Sequence, residues 1–123
     1  MDLTITGFST ALFSTWFFIE ELGIVLDAGD GLASGVLQKG GKVKHIFVSH
    51  ADRDHLTGLF QFNQLNGRNG FPIIYHPKDA GSFPALKEFS GKFDENVIGT
   101  VWNPIEAGSN TIIGNDILIK AIR

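Results

Sequence analysis

The stretch Ser49-His50-Ala51-Asp52-Arg53-Asp54-His55 places two imidazoles and two carboxylates within six residues, directly after the apolar run Ile46-Phe47-Val48. Imidazole nitrogen and carboxylate oxygen suit zinc, manganese or iron, and His and Asp at alternate positions can turn toward one point. His50 and Asp52 suit a first ion in this way, and Asp54 with His55 a second. A plainer reading competes, since a lone Asp-x-Asp or a lone His is usually a solvated loop or a helix cap. The density of the cluster favours metal, because crowded charge without a counter-ion is costly.

The residues around the cluster must position it. Val43 to Ser49 reads as a strand that ends in the cluster, and Leu56, Leu59, Phe60, Phe62 and Leu65 follow at helical spacing until Asn66-Gly67. The four side chains therefore sit on a strand-to-helix loop, where open α/β sheets carry their chemistry. Arg53 points away by alternation and is read as a contact to substrate or solvent.

The cluster resembles the H-x-H-x-D-H signature of the metallo-β-lactamase fold superfamily of metal-dependent hydrolases, and its flanks resemble the ribonuclease Z branch. Val25-Leu26-Asp27-Ala28-Gly29-Asp30-Gly31 is similar to that branch's Asp-x-Gly-Glu-Gly segment, and Pro72-Ile73-Ile74-Tyr75-His76-Pro77 to its strand after the helix. The resemblance implies an α/β fold, the first half of an αββα sandwich: a mixed sheet with helices packed on one face. It implies zinc as cofactor, in a two-metal site that cleaves phosphodiesters, with His50, Asp52, Asp54 and His55 as ligands and Asp54 as the proton-handling carboxylate. Asp52 departs from the pattern, which has His there; an oxygen ligand moves the preference toward manganese or iron. The resemblance also implies further ligands, a His after the strand Ile117 to Ile122 and an Asp and a His beyond, so each ion would have two protein ligands here and turnover would be weak or absent.

Composition bounds the alternatives. At 123 residues, with 43 % hydrophobic and 19 % charged residues, the chain reads as one domain, 1–123, of an ordinary globular protein. Cysteine is absent, which removes disulfides and thiolate ligands and suits a reducing compartment. Ala11 to Ile19 is too short to span a bilayer, is interrupted by Ser14 and Thr15, and has no basic residue before it; we read a buried strand, no membrane partner and a cytoplasmic protein. A net charge of −3 lacks the basic balance of non-specific nucleic-acid binders.

Along the chain, Leu3 to Phe8 alternates as a strand, Leu12 to Glu20 pairs with it, and Gly23 to Asp27 reads as a central strand ending at a carboxylate. Asp27 has two readings: support of the metal loop from outside the ligand set, as the resemblance implies, or a plain turn or cap. Asp30 reads as the cap of a helix carrying Leu32, Val36 and Leu37, closed by Gly40-Gly41-Lys42. His45 reads as a surface histidine and His76 as a loop histidine. Asp79 to Phe89 reads as a helix interrupted by Pro84, with Phe83, Leu86 and Phe89 over the sheet. Val97 to Ile105 reads as a strand, and Thr111 to Ile113 with Ile117 to Ile122 as a hairpin closed by Gly114-Asn115-Asp116.

Three functions remain open. The first is a ribonuclease Z-type phosphodiesterase acting on RNA; the second is a small-molecule hydrolase of the same fold, for instance of small phosphodiesters, since fold does not fix function. The third is a non-catalytic half-domain. An uncovered apolar sheet face predicts self-association, hence a homo-oligomer, in every case.

Overall fold

A computed structural model describes residues 2–113 and 117–122. The turn expected at Gly114-Asn115-Asp116 lies outside the described residues. Six strands form one sheet in sequence order: β1 (Ile5–Thr10), β2 (Ser14–Ile19), β3 (Ile24–Leu26), β4 (His45–Phe47), β5 (Ile73–Pro77) and β6 (Val101–Ile105). β1, β2 and β3 pair antiparallel, whereas β3 to β6 run parallel. Parallel neighbours need crossover connections, and these carry the helices α1 (Leu32–Val36), α2 (Arg53–Leu56), α3 (Leu59–Asn66) and α4 (Ser82–Phe93). β7 (Asn110–Ile113) and β8 (Ile117–Lys120) pair antiparallel as a separate two-stranded sheet.

The period-two pattern of each strand sorts its side chains between two faces. Trp16, Phe18, Val25, Ile46 and Ile74 point to the helices and are buried with Leu32 and Val36 of α1, Leu59 and Phe62 of α3, and Phe83 of α4. The opposite face is also apolar: paired registers align Phe17, Leu26, Phe47 and Tyr75 in one row, and Ile5, Ile19, Ile24, His45, Ile73 and Val101 in the next. Among the described residues no helix covers these rows, although Ile24 and Tyr75 within them are buried. Ile5, Leu26 and Val101 remain 60 %, 38 % and 41 % exposed.

Several local expectations are corrected. The helical pattern after the cluster is two helices, because Gly58 turns its N–H out to the Ala28 carbonyl at 2.8 Å, and a Cβ there would overlap the Gly29 carbonyl. Asp30 does not cap α1. Gly31 holds the cap position at φ +91°, which glycine adopts without strain, and Asp30 instead offers its carbonyl to the Ser14 hydroxyl at 2.6 Å. α4 starts three residues later than expected and runs to Phe93, so Pro84 falls in its first turn, where no N–H is needed. Phe83 and Leu86 pack against the core, but Phe89 is 56 % exposed and stacks with Phe60 and Phe93 on the outer surface.

β6 begins at Val101, since Glu95–Val97 forms a single 3-10 turn capped by the Asp94 carboxylate. Of the two outlying histidines, His45 begins β4, whereas His76 is not the loop residue expected. His76 lies within β5, buried on the helix side and stacked on Phe83 at 4.6 Å. His45 is half-buried on the open face, with Nδ1 3.1 Å from the Tyr75 hydroxyl. Burial lowers the pKa of both imidazoles and raises that of the Tyr75 phenol.

Candidate metal centre

Parallel pairing of β3 with β4 sets Leu26 opposite Phe47, so the two chains leave the sheet side by side at the same edge. Asp27 follows one tip; Ser49 and the His/Asp cluster follow the other. The Asp27 backbone is held in the left-handed region at φ +63°, with its N–H donated to the Phe47 carbonyl at 2.7 Å. That conformation is uncommon for a residue with a side chain, although Asp tolerates it better than most. The residues after it are clasped from both sides: Ala28 donates to the His55 carbonyl at 2.9 Å, and Gly29 donates to the Thr15 carbonyl of β2 at 3.0 Å.

All five residues expected at the site come together here. The His50 and His55 rings are neighbours, with centroids 4.0 Å apart. His50 Nε2 lies 3.5 Å from an Asp52 carboxylate oxygen, and His55 Nε2 lies 3.3 Å from one of Asp54. The Asp52 carboxylate makes no cap bond to α2, although the residue occupies the cap position, so it stays available to a ligand. Exposure separates the pairs: the Asp54 and His55 side chains are 18 % and 15 % exposed, against 74 % and 49 % for Asp52 and His50. Asp27 is not a plain turn residue or cap. Its Oδ1 accepts the Ser49 N–H and the Ser49 hydroxyl, both at 2.8 Å, and its Oδ2 lies 3.1 Å from His55 Nδ1.

The donors form two nitrogen–oxygen pairs whose chemistry fits a divalent cation, but they are incomplete in number. Among the described residues no group of three or more His, Cys, Asp or Glu side chains is arranged to hold a metal ion, whereas catalytic zinc usually has three protein ligands. Arg53 does not face the cluster; its guanidinium donates to the Leu12 carbonyl in the β1–β2 turn at 3.3 Å.

Two features were not singled out from the sequence. Ser49 is a hub of the site, since its hydroxyl also lies 2.8 Å from His50 Nδ1. A hydroxyl directly after a strand and beside a histidine was the available signal. The second is a cleft of about 630 Å³ between the strand tips and the β7–β8 pair. Asp27 and Ser49 line it, Leu26, Phe47 and Ile119 give it an apolar surface, and Lys78 and Glu106 of its lining pair with each other at 3.4 Å. No periodicity in the sequence announces it, because it forms between elements far apart in the chain.

No family model matches the sequence, and no curated protein matches it. Among solved structures, the short form of human tRNase Z superposes with a TM-score of 0.62 at 20 % identity, covering 83 % of this chain and 42 % of that one. The chain therefore spans less than half the length of that protein. No helix among the described residues is long and apolar enough to cross a membrane. A six-stranded mixed sheet with its helices on one face, superposing on part of a tRNase Z, is one half of the metallo-β-lactamase fold.

Proposed function

We propose that the chain is the first half of a metal-dependent hydrolase of the ribonuclease Z type, acting on a phosphodiester of RNA in the cytoplasm. The observation that supports this best is the pair of nitrogen–oxygen donor sets, His50 with Asp52 and Asp54 with His55, gathered just past the tip of β4, where Asp27 at the tip of the parallel neighbour β3 meets them in this fold. Those pairs would hold zinc, with manganese or iron favoured by the oxygen donor Asp52. When bound, such ions supply Lewis acidity and activate water at neutral pH.

The chain's own residues supply the remainder. Asp27 anchors Ser49 and faces His55, which fixes where the donors stand. The Asp54 carboxylate, enclosed beside His55, accepts and returns the proton of the attacking water. The cleft beside Asp27 and Ser49 would admit the groups flanking the scissile bond, with Lys78 in its lining shared between a phosphate and its partner Glu106.

Incubation of the chain with a 3′-extended precursor transfer RNA, a small phosphodiester and a lactone, each with added zinc or manganese and with chelator, tests the reading. Chelator-sensitive cleavage of the RNA upholds it. Hydrolysis of the small substrates alone moves the assignment to a small-molecule hydrolase.

A second reading follows from the count of two donors per pair and from the uncovered apolar face: a non-catalytic half-domain that self-associates. Elemental analysis separates it from the first. One or two tightly held ions per chain mean that another chain completes the ligand sets, and no metal with no turnover leaves the half-domain reading.

A further inference from the structure

We infer that Ser49 is a positioning residue which relays the Asp27 carboxylate to His50, so that a carboxylate out of contact with this ring sets its tautomer. The purpose of the device rests on the metal-dependent reading above, but its geometry does not.

An ionised carboxylate only accepts, and a serine hydroxyl has one proton to give. Asp27 Oδ1 already takes the Ser49 N–H, and the Ser49 hydroxyl proton also goes to Oδ1 at 2.8 Å. With its proton committed, the Ser49 oxygen can only accept from His50 Nδ1 at 2.8 Å, which makes that nitrogen the N–H of the neutral ring. His55 has carboxylates at both nitrogens, Asp27 Oδ2 3.1 Å from Nδ1 and Asp54 Oδ2 3.3 Å from Nε2, so its contacts select no tautomer and the relay concerns His50. At 3.5 Å, the distance from Ser49 Oγ to His55 Nδ1 is too long to compete.

The consequence lies at the opposite ring atom. A neutral imidazole with Nδ1–H carries its lone pair on Nε2, and metal ligation requires that lone pair. In His50, Nε2 is the atom turned to the partner carboxylate, Asp52. Asp27 thus acts on His50 through one hydroxyl. Loss of such an outer hydrogen bond typically costs about 10–100-fold in metal affinity.

The test is imidazole nitrogen NMR on the metal-free full chain, followed with rising pH until the spectrum of the neutral form no longer changes. The His50 ring is expected in the Nδ1–H form in the unmodified chain. Ser49→Ala should move it toward the Nε2–H form, and Ser49→Thr, which keeps the hydroxyl, should restore it. Zinc affinity should fall about 10-fold or more in Ser49→Ala and recover in Ser49→Thr.

A His50 ring found as Nε2–H in the unmodified chain, or unchanged in a folded Ser49→Ala, overturns the relay. Should Ser49→Ala fail to fold, the tautomer of the unmodified chain still decides. A His50 ring of the inferred form without any hydrolysis would uphold the relay and count against the hydrolase, whereas hydrolysis with His50 as Nε2–H would sink the relay alone.

Discussion

The rings of His50 and His55 lie with centroids 4.0 Å apart and planes tilted by 41°, yet each has its own carboxylate neighbour, Asp52 for one and Asp54 for the other. At Nε2 the rings therefore have different carboxylate partners, while Ser49 Oγ stands 2.8 Å from His50 Nδ1 and 3.5 Å from His55 Nδ1. If the pairs hold separate ions, His50→Ala and His55→Ala should each lower the stoichiometry of zinc binding by one ion. Affinity at the vacated pair should fall by more than the roughly 10–100-fold that a lost outer hydrogen bond costs. Zinc titration against a chromophoric chelator reads both numbers. Loss of all binding in either variant would instead mean one shared ion.

Gly58 is a packing constraint on the same site. Its N–H reaches the Ala28 carbonyl, and an added Cβ would run into the backbone oxygen of Gly29, which cannot swing aside as a side chain would. Gly58→Ala should destabilise the chain by about 2 kcal/mol, the usual range for overpacking, despite the better helix propensity of alanine. Gly81→Ala is the control. A Cβ there meets nothing within 4 Å, and its backbone angles are ordinary, so its urea midpoint should hold or rise slightly.

His76 gives the fold a dependence on pH. Burial against Phe83 lowers its pKa, and the nearby Lys87 adds to this, while the bond from Nδ1 to the Pro77 carbonyl works in the opposite direction. A lowered folded value means that the unfolded chain binds the proton more readily. The stabilisation is complete above the ordinary value of 6.5 and is lost as pH falls through the lowered folded one. Urea midpoints at several pH values below 7 should decline more steeply for the unmodified chain than for His76→Leu. His45 contributes in the same sense, since burial and Lys44 lower its pKa.

The open sheet face predicts association. Ile5 and Val101 stand on the two edge strands of the sheet and, with Leu26, are the most exposed apolar members of its aligned rows. Sedimentation velocity should show concentration-dependent self-association, and Val101→Lys, which puts charge on an edge strand, should reduce it. A single monomeric boundary across a tenfold range of concentration would contradict this.

Period and local chemistry made much of this legible in the sequence. Alternation marked β1, a β-rich run marked β2, the apolar run before Asp27 marked β3, and the density of ligand types from His50 to His55 singled out the candidate cluster. What escaped detection depended on contacts made across the chain. The break at Gly58 comes from the Ala28–Gly29 backbone, a contact that spacing cannot show. His76 looked like a loop residue because a proline follows it, but its place in β5 is set by pairing with β6, where it lies opposite Pro104. Asp30 had the side chain of a cap, yet the turn needed the positive φ of Gly31 one residue later. The role of Ser49 needed the register of β3 on β4, which brings Asp27 to it across 22 residues.

That short separation has a consequence for how the site arises during folding. Asp27, Ser49, His50, Asp52, Asp54 and His55 all belong to one strand–helix–strand–helix unit, and the loop that must close to join Asp27 to Ser49 is only 22 residues long. Loop closure costs rise slowly with length, and contacts this local form early relative to distant pairings. The donor cluster therefore takes shape with the first parallel strand pair, before β6 or the β7–β8 pair needs to be in place.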